Sequence, residues 1–491
     1  MRLSLASLPR VPPGMRPGYD PAAVGVGIVH LGLGAFARAH PAVYTDDVLA
    51  ARGGDWGLCG VSQRSSTVCD QLTPQDGLYS VVERSPEGTG ARVVGSVREM
   101  LLASAAPDVL AARIADPRTR IVSLTVTEKG YRHDPASGRL RRDDPELAAD
   151  AEGRAAPRTV VGQLAAGLDA RRASGGPITV LCCDNLPRNG RMLRGLLTEF
   201  AAWRDARTGG DLAGWVDTQV AFPSTMVDRI VPATQPADRD EAARLLGLAD
   251  AGTVVAEPFR QWVIEDSFAA GRPAWQDAGA ILTDDVTAYE VLKLRLLNGA
   301  HSTLAYLGAL AGHEFIWQAV ADPSLAAVTR RLMADDAAPT VAPPDGVDVD
   351  RYRDQVLARF ANPALGHRTT QVAMDGSQKL PQRLLDTARE RMAAGAEPVW
   401  VCLAVAAWMR YVVTQGADLD DPMAVQLAAA AGGADDPPAA VVRALLGVQD
   451  VFGADLAASA VFGDRVTDWL AQLHARGAAE TVRAAAEAGA P

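Results

Sequence analysis

The stretch Val24-Gly-Val-Gly-Ile-Val-His-Leu-Gly-Leu-Gly34 decides the fold class. Its apolar core is short, partly β-branched and followed by glycines, which is typical of a buried strand in a parallel sheet. The next residues are compatible with a helix, and Gly32, Gly34 and Ala37 match the pattern G-x-G-x-x-G/A. In that pattern the glycines permit a tight turn, and the helix N-terminus offers N–H groups to a pyrophosphate. The stretch therefore predicts the first βα unit of a dinucleotide-binding domain.

The rest of the N-terminal half continues this pattern. Short apolar stretches that alternate with helical segments occur at Trp56–Ser62, Ile121–Thr127, Ile178–Cys183 and Gln219–Phe222. Such alternation predicts a doubly wound parallel sheet of Rossmann type. After Thr287, long Ala-, Leu- and Arg-rich stretches with helical spacing dominate. We therefore expect an α/β dinucleotide-binding domain over residues 1–285 and a mainly α-helical substrate-binding domain over residues 286–491.

Composition excludes several classes of protein. The chain has 491 residues, of which 48% are hydrophobic, and a net charge of −11, so it has no overall field for nucleic acid or an anionic membrane. Its five cysteines are scattered without a C-x-x-C pair, so we expect neither a disulfide framework nor a metal. The longest apolar run ends at Arg410, well short of the ~20 residues that cross a bilayer. We expect a soluble, cytoplasmic protein.

The end of the second predicted strand bears on the choice of cofactor. An acidic residue at this point usually binds the adenosine ribose, but the sequence reads Val61-Ser-Gln-Arg-Ser65. Arg64 beside serine could accept a 2′-phosphate, or it could be a solvated loop charge. NAD and NADP therefore both remain open, and the predicted cofactor-binding residues of the first two βα units are Gly32, Gly34, Ala35, Phe36 and Arg64.

The stretch Lys293-Leu-Arg-Leu-Leu-Asn298-Gly-Ala-His301 carries the candidate reacting group. On an α-helix, Asn298 and His301 share one broad face with Lys293. A nicotinamide enzyme needs a base for the hydroxyl proton and groups that hold the developing oxyanion. Because burial lowers the pKa of a lysine, Lys293 can serve as that base. The alternative is a helix with a solvated lysine, a capping Asn and a structural His.

Several motifs together resemble one known family. They are Ile28-Val-His-Leu-Gly-Leu-Gly-Ala-Phe36, Ser123-Leu-Thr-Val-Thr-Glu-Lys-Gly-Tyr131, Cys183-Asp-Asn185, Met226-Val-Asp-Arg-Ile-Val-Pro232, the Lys293, Asn298 and His301 set, and Met374-Asp-Gly-Ser-Gln-Lys379. Over nearly its whole length the chain resembles the long-chain, metal-independent mannitol dehydrogenase family, which comprises polyol dehydrogenases and hexuronate reductases. The resemblance implies a Rossmann-type domain, a helical domain and a substrate cleft between them.

The resemblance also implies residue roles. Lys293 would be the general base in oxidation and the general acid in reduction, while Asn185 and Asn298 hold the reacting oxygen. His301 would orient substrate hydroxyls. The remaining implied positions are Thr127 near the cofactor and, at the substrate, Asp228, Arg368 and Lys379.

Within the family, the stretches around Asp228, Arg260 and Lys379 look most like the fructuronate reductase branch. A substrate carboxylate would favour Arg260, Arg368 or Lys379 as a charge-assisted partner, although Arg260 could instead pair with Glu257 or Asp266. We expect an NAD-dependent enzyme that interconverts D-fructuronate and D-mannonate. The alternative activity is that of mannitol 2-dehydrogenase or a related polyol dehydrogenase. We expect the protein to be a monomer or a weak oligomer.

Overall fold

The computed structural model describes residues 1–134, 137–174, 176–433 and 436–488. The chain divides into two compact units, Met1–Thr287 and Ala288–Pro491, here called the N-terminal and the C-terminal unit. The division falls after Thr287, where the sequence changes from alternating strands and helices to Ala- and Leu-rich helices.

The centre of the N-terminal unit is a six-stranded parallel sheet. Its strands in chain order are β1 (Val26–Leu31), β2 (Gly57–Ser62), β5 (Val97–Leu102), β6 (Ile121–Leu124), β7 (Ile178–Cys182) and β8 (Val220–Ala221). They lie in the order β5-β2-β1-β6-β7-β8, which is the Rossmann order. β6 and β7 are buried along their whole length because helices cover both faces of such a sheet. The predicted Rossmann-type fold is confirmed.

The sheet also departs from the prediction at two points. The edge strand β5 was not predicted, because Arg98 and Glu99 interrupt the apolar pattern of Val97-Arg-Glu-Met-Leu-Leu102. An edge strand tolerates these charges, since it has a neighbour on one side only. The third predicted strand is shorter than expected, since β6 ends at Leu124 and residues 125–127 form a loop.

Two three-stranded sheets complete the N-terminal unit. One contains β3 (Tyr79–Ser85), β4 (Gly88–Val94) and β10 (Val254–Ala256), and the other β9 (Thr225–Asp228), β11 (Gln261–Glu265) and β12 (Ile281–Thr283). The α-helices of this unit are α1 (Ala35–Ala39), α2 (Pro41–Arg52), α3 (Thr67–Leu72), α4 (Pro107–Ala115), α5 (Pro145–Glu152), α6 (Val160–Ser174), α7 (Asn189–Thr208), α8 (Leu212–Gln219) and α9 (Pro236–Leu246).

The described part of the C-terminal unit is helical, as expected. Its helices are α10 (Thr287–Leu292), α11 (Gly299–Leu310), α12 (Ile316–Ala321), α13 (Pro323–Arg331), α14 (Val349–Phe360), α15 (Thr369–Ala373), α16 (Gly376–Leu380), α17 (Asp386–Ala393), α18 (Val399–Gln415), α19 (Ala424–Ala431), α20 (Pro438–Leu446), α21 (Gln449–Ala458), α22 (Ala460–Arg476) and α23 (Ala478–Ala488). Three π-helical segments interrupt them, at Lys293–Asn298, Leu332–Ala337 and Pro381–Leu385.

The helix α18 organises this unit. It packs against α11 and α22 and buries nearly all of its residues from Trp400 to Val412. The segment Val399–Asp418 is long and apolar enough to cross a membrane, and it is the one such segment among the described residues. Because 67% of it is buried inside the protein, its apolar character is that of a core helix.

Candidate functional site

The N-terminal unit contains a cavity of about 610 Å³ at the carboxyl ends of β1, β2 and β6. This is the edge at which open α/β sheets bind ligands, and the volume suits a cofactor. Four predicted cofactor-binding residues line it: Gly32, Gly34, Arg64 and Thr127. Ala35 and Phe36 begin α1 directly after the turn, and the Phe36 ring stacks on His40 at 5.0 Å between ring centroids.

The glycine turn after β1 is shaped by close backbone approach. Gly32 has a φ of +95°, and a Cβ atom there would lie 2.1 Å from the carbonyl oxygen of Thr125. Glycine is therefore required at this position. At Gly34 a Cβ atom would meet nothing nearer than 3.9 Å, so the backbone is open to an incoming group. The turn is followed by the short helix α1, which ends at Ala39, and His40 separates it from α2.

The loop after β6 forms another wall of the cavity and is held by Asp184. The Asp184 carboxylate accepts the backbone N–H groups of Val126 (3.1 Å) and Thr127 (3.0 Å) and the hydroxyl of Tyr131 (2.6 Å). Thr127 has φ +65° and ψ 163°, a conformation that is costly for a β-branched residue. The carboxylate thus stabilises a strained backbone at the cavity wall.

In the C-terminal unit, the predicted catalytic residues lie on a π-helical turn and the start of α11. Lys293, Asn298 and His301 are buried, with exposed fractions of 4%, 6% and 9%. The segment Lys293–Asn298 is π-helical, so the α-helical geometry expected from the sequence is wrong for this turn. Its wider hydrogen bonding is seen where the N–H of Gly299 donates to the carbonyl of Leu294. Such π turns occur frequently at functional sites.

Two of these side chains carry buried polar atoms that have no hydrogen-bond partner among the described residues. They are the amide nitrogen Nδ2 of Asn298 and the ring nitrogen Nε2 of His301. Leaving such an atom unsatisfied costs roughly 1–3 kcal/mol, so native proteins seldom do so without a reason. The two atoms are suited to bind a polar ligand.

The surroundings of His301 are aromatic and positively charged. Its ring stacks on Phe360 at 4.6 Å and meets His367 edge-on at 5.0 Å between ring centroids. Burial lowers the pKa of His301 well below its ordinary value, and nearby cationic groups lower it further. The cationic groups are Arg383, Lys379 and Arg359, whereas the ring of His367, whose own pKa burial lowers to about 4, is neutral near neutral pH. The His301 ring is therefore neutral, and the positive charge around it is suited to an anionic ligand.

Two further predicted substrate residues of this unit differ in their placement. Lys379 is half-buried, and its positive charge helps to lower the pKa of His301. Its Nζ atom donates hydrogen bonds to the carbonyl oxygens of Val372 and Met374. Arg368 is exposed and forms an ion pair with Glu314. The role of Arg368 toward a substrate stays a prediction.

The three remaining predicted residues belong to the N-terminal unit. Asn185 is exposed just after β7, whereas Asp228 is buried at the end of β9. The Nη2 atom of Arg260 lies 2.5 Å from Asp47, and its guanidinium lies over the ring of Tyr44. The ion pair considered for Arg260 is thus present with a different partner from those expected, and its contact with a substrate stays a prediction.

Sequence reasoning missed Asp184, Lys129, His367 and Arg383. One signal could have found Lys129: only three of the 48 Lys and Arg residues are lysines. These are Lys129, which lines the cavity, and the predicted site residues Lys293 and Lys379. Because the chain uses arginine almost everywhere else, its three lysines are candidates for positions where a compact amine is used.

The Rossmann sheet, its glycine turn and the cavity at the strand ends define a dinucleotide-binding α/β protein. Residues 26–277 match the family described as mannitol dehydrogenase Rossmann domain, and residues 285–474 match the mannitol dehydrogenase C-terminal domain. The chain therefore belongs to the mannitol dehydrogenase family, and it is an oxidoreductase.

Individual relatives span nearly the whole chain. D-mannonate oxidoreductase of Escherichia coli (strain K12) is 43% identical over 488 residues, covering 96% of this chain and 98% of its own. Mannitol 2-dehydrogenase of Cereibacter sphaeroides is 44% identical over 400 residues, covering 81% and 83%. The structure of Pseudomonas fluorescens mannitol 2-dehydrogenase with NAD and D-mannitol has a TM-score of 0.92 at 38% identity, covering 99% and 100%.

Proposed function

We propose that this protein transfers a hydride between a nicotinamide cofactor and a sugar acid, with D-fructuronate and D-mannonate as the substrate pair. The observation that carries this proposal is the buried set around Lys293, in which Asn298 Nδ2 and His301 Nε2 lack partners among the described residues. A substrate oxygen would satisfy both atoms. The charge around His301 supports an acidic substrate over a neutral one.

In the proposed reaction, side chains of this protein transfer the hydroxyl proton of the substrate and bind its reacting oxygen. In oxidation, the neutral amine of Lys293 takes the proton of the substrate hydroxyl, and in reduction its ammonium returns a proton to the new alkoxide oxygen. The amide of Asn298 donates a hydrogen bond to that oxygen and stabilises its developing charge. His301, held neutral, orients the neighbouring hydroxyls. When bound, the nicotinamide ring supplies the hydride acceptor or donor.

NAD is the proposed cofactor, and the N-terminal cavity is the proposed site for it. The open backbone at Gly34 and the tight turn at Gly32 fit a pyrophosphate, and the cavity volume of about 610 Å³ suits a dinucleotide. Gly32, Gly34, Arg64 and Thr127 would contact the cofactor. The bound NAD in the Pseudomonas fluorescens relative supports this assignment.

The preference for a sugar acid rests on charge. A carboxylate that is buried away from water requires cationic partners. The positive charges of Arg359, Lys379 and Arg383 all lower the pKa of His301, so these three groups lie near its ring. The 43% identity to D-mannonate oxidoreductase is consistent with this substrate class.

A second candidate is a mannitol 2-dehydrogenase. It is supported by the TM-score of 0.92 to the Pseudomonas fluorescens enzyme, whose complex contains D-mannitol. Asn298, His301 and Lys379 can also hydrogen-bond the hydroxyls of a neutral polyol, so these three residues suit either substrate class.

A substrate panel tests the proposal. Reduction of D-fructuronate and of D-fructose with NADH, and oxidation of D-mannonate and of D-mannitol with NAD, would be followed by absorbance. We expect kcat/KM to be at least tenfold higher for the acids than for the neutral sugars. Fast turnover of fructose with no turnover of fructuronate would establish the second candidate instead.

We further propose that the enzyme acts in the cytoplasm as a monomer or weak oligomer. The net charge of −11 opposes self-association, and the apolar helix α18 is buried within its own unit. Light scattering over a range of concentrations gives the oligomeric state.

A further inference from the structure

The wall of the N-terminal cavity formed by the end of β2 lacks the carboxylate that usually selects NAD. Ser62, Gln63, Arg64 and Ser65 line the cavity here, and the described lining contains no Asp or Glu. In a Rossmann domain, an acidic residue at this position binds the ribose 2′-hydroxyl and repels a phosphate on the same oxygen. No carboxylate that lines the cavity at the end of β2 therefore repels a phosphate, and the nearby Glu146 is ion-paired with arginines.

Positive charge is concentrated in the lining of the same cavity. Arg64, Arg132 and Arg158 line the cavity and all approach one carboxylate, Glu146, at N···O distances of 3.2, 2.5 and 3.8 Å. Asp144 adds a second carboxylate for Arg132 alone, at 2.8 Å. Three guanidinium groups thus share two carboxylates, so the wall retains positive charge that a further anion can neutralise.

Two side chains at this wall are available to a ligand. The Arg64 side chain is 71% exposed and reaches Glu146 through Nη2, so it can turn to a phosphate at little cost. The amide nitrogen Nε2 of Gln63 is buried without a hydrogen-bond partner among the described residues. A phosphate oxygen beside the ribose can accept from both groups.

We propose that this cavity accepts the 2′-phosphate of NADP(H), so that the enzyme binds both nicotinamide cofactors. The contacts to the phosphate come from Arg64 and Gln63, with Ser62 and Ser65 as further hydrogen-bond donors. This inference deepens the proposed oxidoreductase function and rests on it, because the cavity must first hold the shared dinucleotide.

The test is equilibrium binding to the full chain, measured by calorimetry with NADH, NADPH, 2′,5′-ADP and 5′-ADP. We expect a Kd for NADPH no more than tenfold above that for NADH, and tighter binding of 2′,5′-ADP than of 5′-ADP. Because the additional contact is ionic, added salt should weaken NADPH binding more than NADH binding. NADPH binding more than a hundredfold weaker than that of NADH would overturn the inference.

Variants identify the residues responsible. Arg64→Ser should weaken NADPH binding at least tenfold and NADH binding by a smaller factor, because only NADPH presents a 2′-phosphate to the guanidinium. Glu146→Gln should strengthen NADPH binding, because it releases the three arginines from their shared carboxylate. Arg52→Ser is the matched control, since Arg52 is similarly exposed (66%) and ion-paired, with Asp277, but does not line the cavity.

The outcomes separate this inference from the proposed function. If NADH binds and NADPH does not, the 2′-phosphate site is wrong and the oxidoreductase assignment stands. If neither cofactor binds, the proposed cofactor site is itself wrong. If Arg64→Ser and Arg52→Ser have equal effects on NADPH binding, the assignment to Arg64 fails.

Discussion

The carboxylate of Asp184 accepts the backbone N–H of Thr127 at 3.0 Å and thereby holds a threonine at a φ of +65°. Backbone in this region costs on the order of 1–3 kcal/mol for a residue other than glycine, so it persists only when other contacts enforce it. Asp184 follows β7 and Thr127 follows β6, and these strands are neighbours in the sheet. The strain is thus located at the wall of the cofactor cavity.

Replacing Asp184 should loosen this wall. Asp184→Ala removes three hydrogen bonds to one carboxylate, so we expect the free energy of unfolding of the N-terminal unit to fall by on the order of 3 kcal/mol. We also expect the Kd for NADH to rise at least tenfold, because Thr127 is no longer held at the cavity. Urea unfolding and calorimetry measure the two effects.

Asp205 provides the matched control for Asp184. Its carboxylate accepts the backbone N–H groups of Leu212 (3.0 Å) and Ala213 (2.8 Å) in the same unit, away from the cavity. Asp205→Ala should also lower stability but leave the affinity for NADH unchanged. If both variants weaken NADH binding equally, general destabilisation accounts for the effect and Asp184 has no special role at the cavity.

The Rossmann-type fold was predictable because each central strand of a parallel sheet is a short apolar run that can be recognised in the local sequence. β1, β6 and β7 are short, apolar and buried on both faces, so they stand out from the helices between them. β4 and β5 were missed because they are half-exposed and mix polar with apolar residues, as in Gly88–Val94. β9 and β10 are buried but only four and three residues long, so no long run of apolar residues marks them in the sequence.

The site was predictable in part. Lys293, Asn298 and His301 are close in sequence, so their common location follows from one short segment even though its turn is π-helical. His367 and Arg383 reach His301 from other segments of the unit, and no local pattern indicates such long-range packing.

Lys293 provides the most direct test of the proposed chemistry. Lys293→Arg keeps the positive charge, but a guanidinium does not release its proton near neutral pH, so it cannot act as the base. We expect kcat to fall by about 10²–10⁴-fold in both directions, with the affinity for NADH unchanged. As a control, Arg330→Lys makes the reverse exchange at an exposed ion pair with Asp354 and should leave kcat unaltered. A Lys293→Arg enzyme within threefold of the parent would contradict the mechanism.

Arg383 and Arg368 should differ in their importance for an acidic substrate. The positive charge of Arg383 lowers the pKa of His301, and its guanidinium donates to the hydroxyl of Ser302 at 3.1 Å. Arg368, in contrast, is exposed and forms an ion pair with Glu314. We expect Arg383→Gln to lower kcat/KM for fructuronate at least a hundredfold, and Arg368→Gln less than fivefold. With fructose as substrate, the loss in Arg383→Gln should be much smaller. A larger effect at Arg368 than at Arg383 would contradict this ranking and would support the substrate role that the family resemblance implies for Arg368.

Three buried histidines and the half-buried His367 should make folding sensitive to acid. Burial lowers the pKa of His30 to about 4, of His40 to about 3 and of His367 to about 4, from an ordinary value of 6.5, and lowers that of His301 as well. Below pH 6.5 the unfolded chain therefore binds protons at these rings that the folded chain does not. Stability is unaffected above that pH and decreases as the pH falls toward 4, by about 2 kcal/mol for each of His30, His40 and His367 at about pH 5.

The contribution of one histidine can be isolated at His30, whose ring nitrogens lie 2.8 Å from the Ser123 hydroxyl and 2.9 Å from the Thr125 hydroxyl. His30→Gln keeps a neutral hydrogen-bonding side chain that does not titrate. We expect the difference in unfolding free energy between about pH 7 and about pH 5 to shrink by about 2 kcal/mol in this variant. His474→Gln is the control, because that ring is exposed to water in the folded chain. An equal pH dependence in the parent and in His30→Gln would show that His30 is protonated in the folded state.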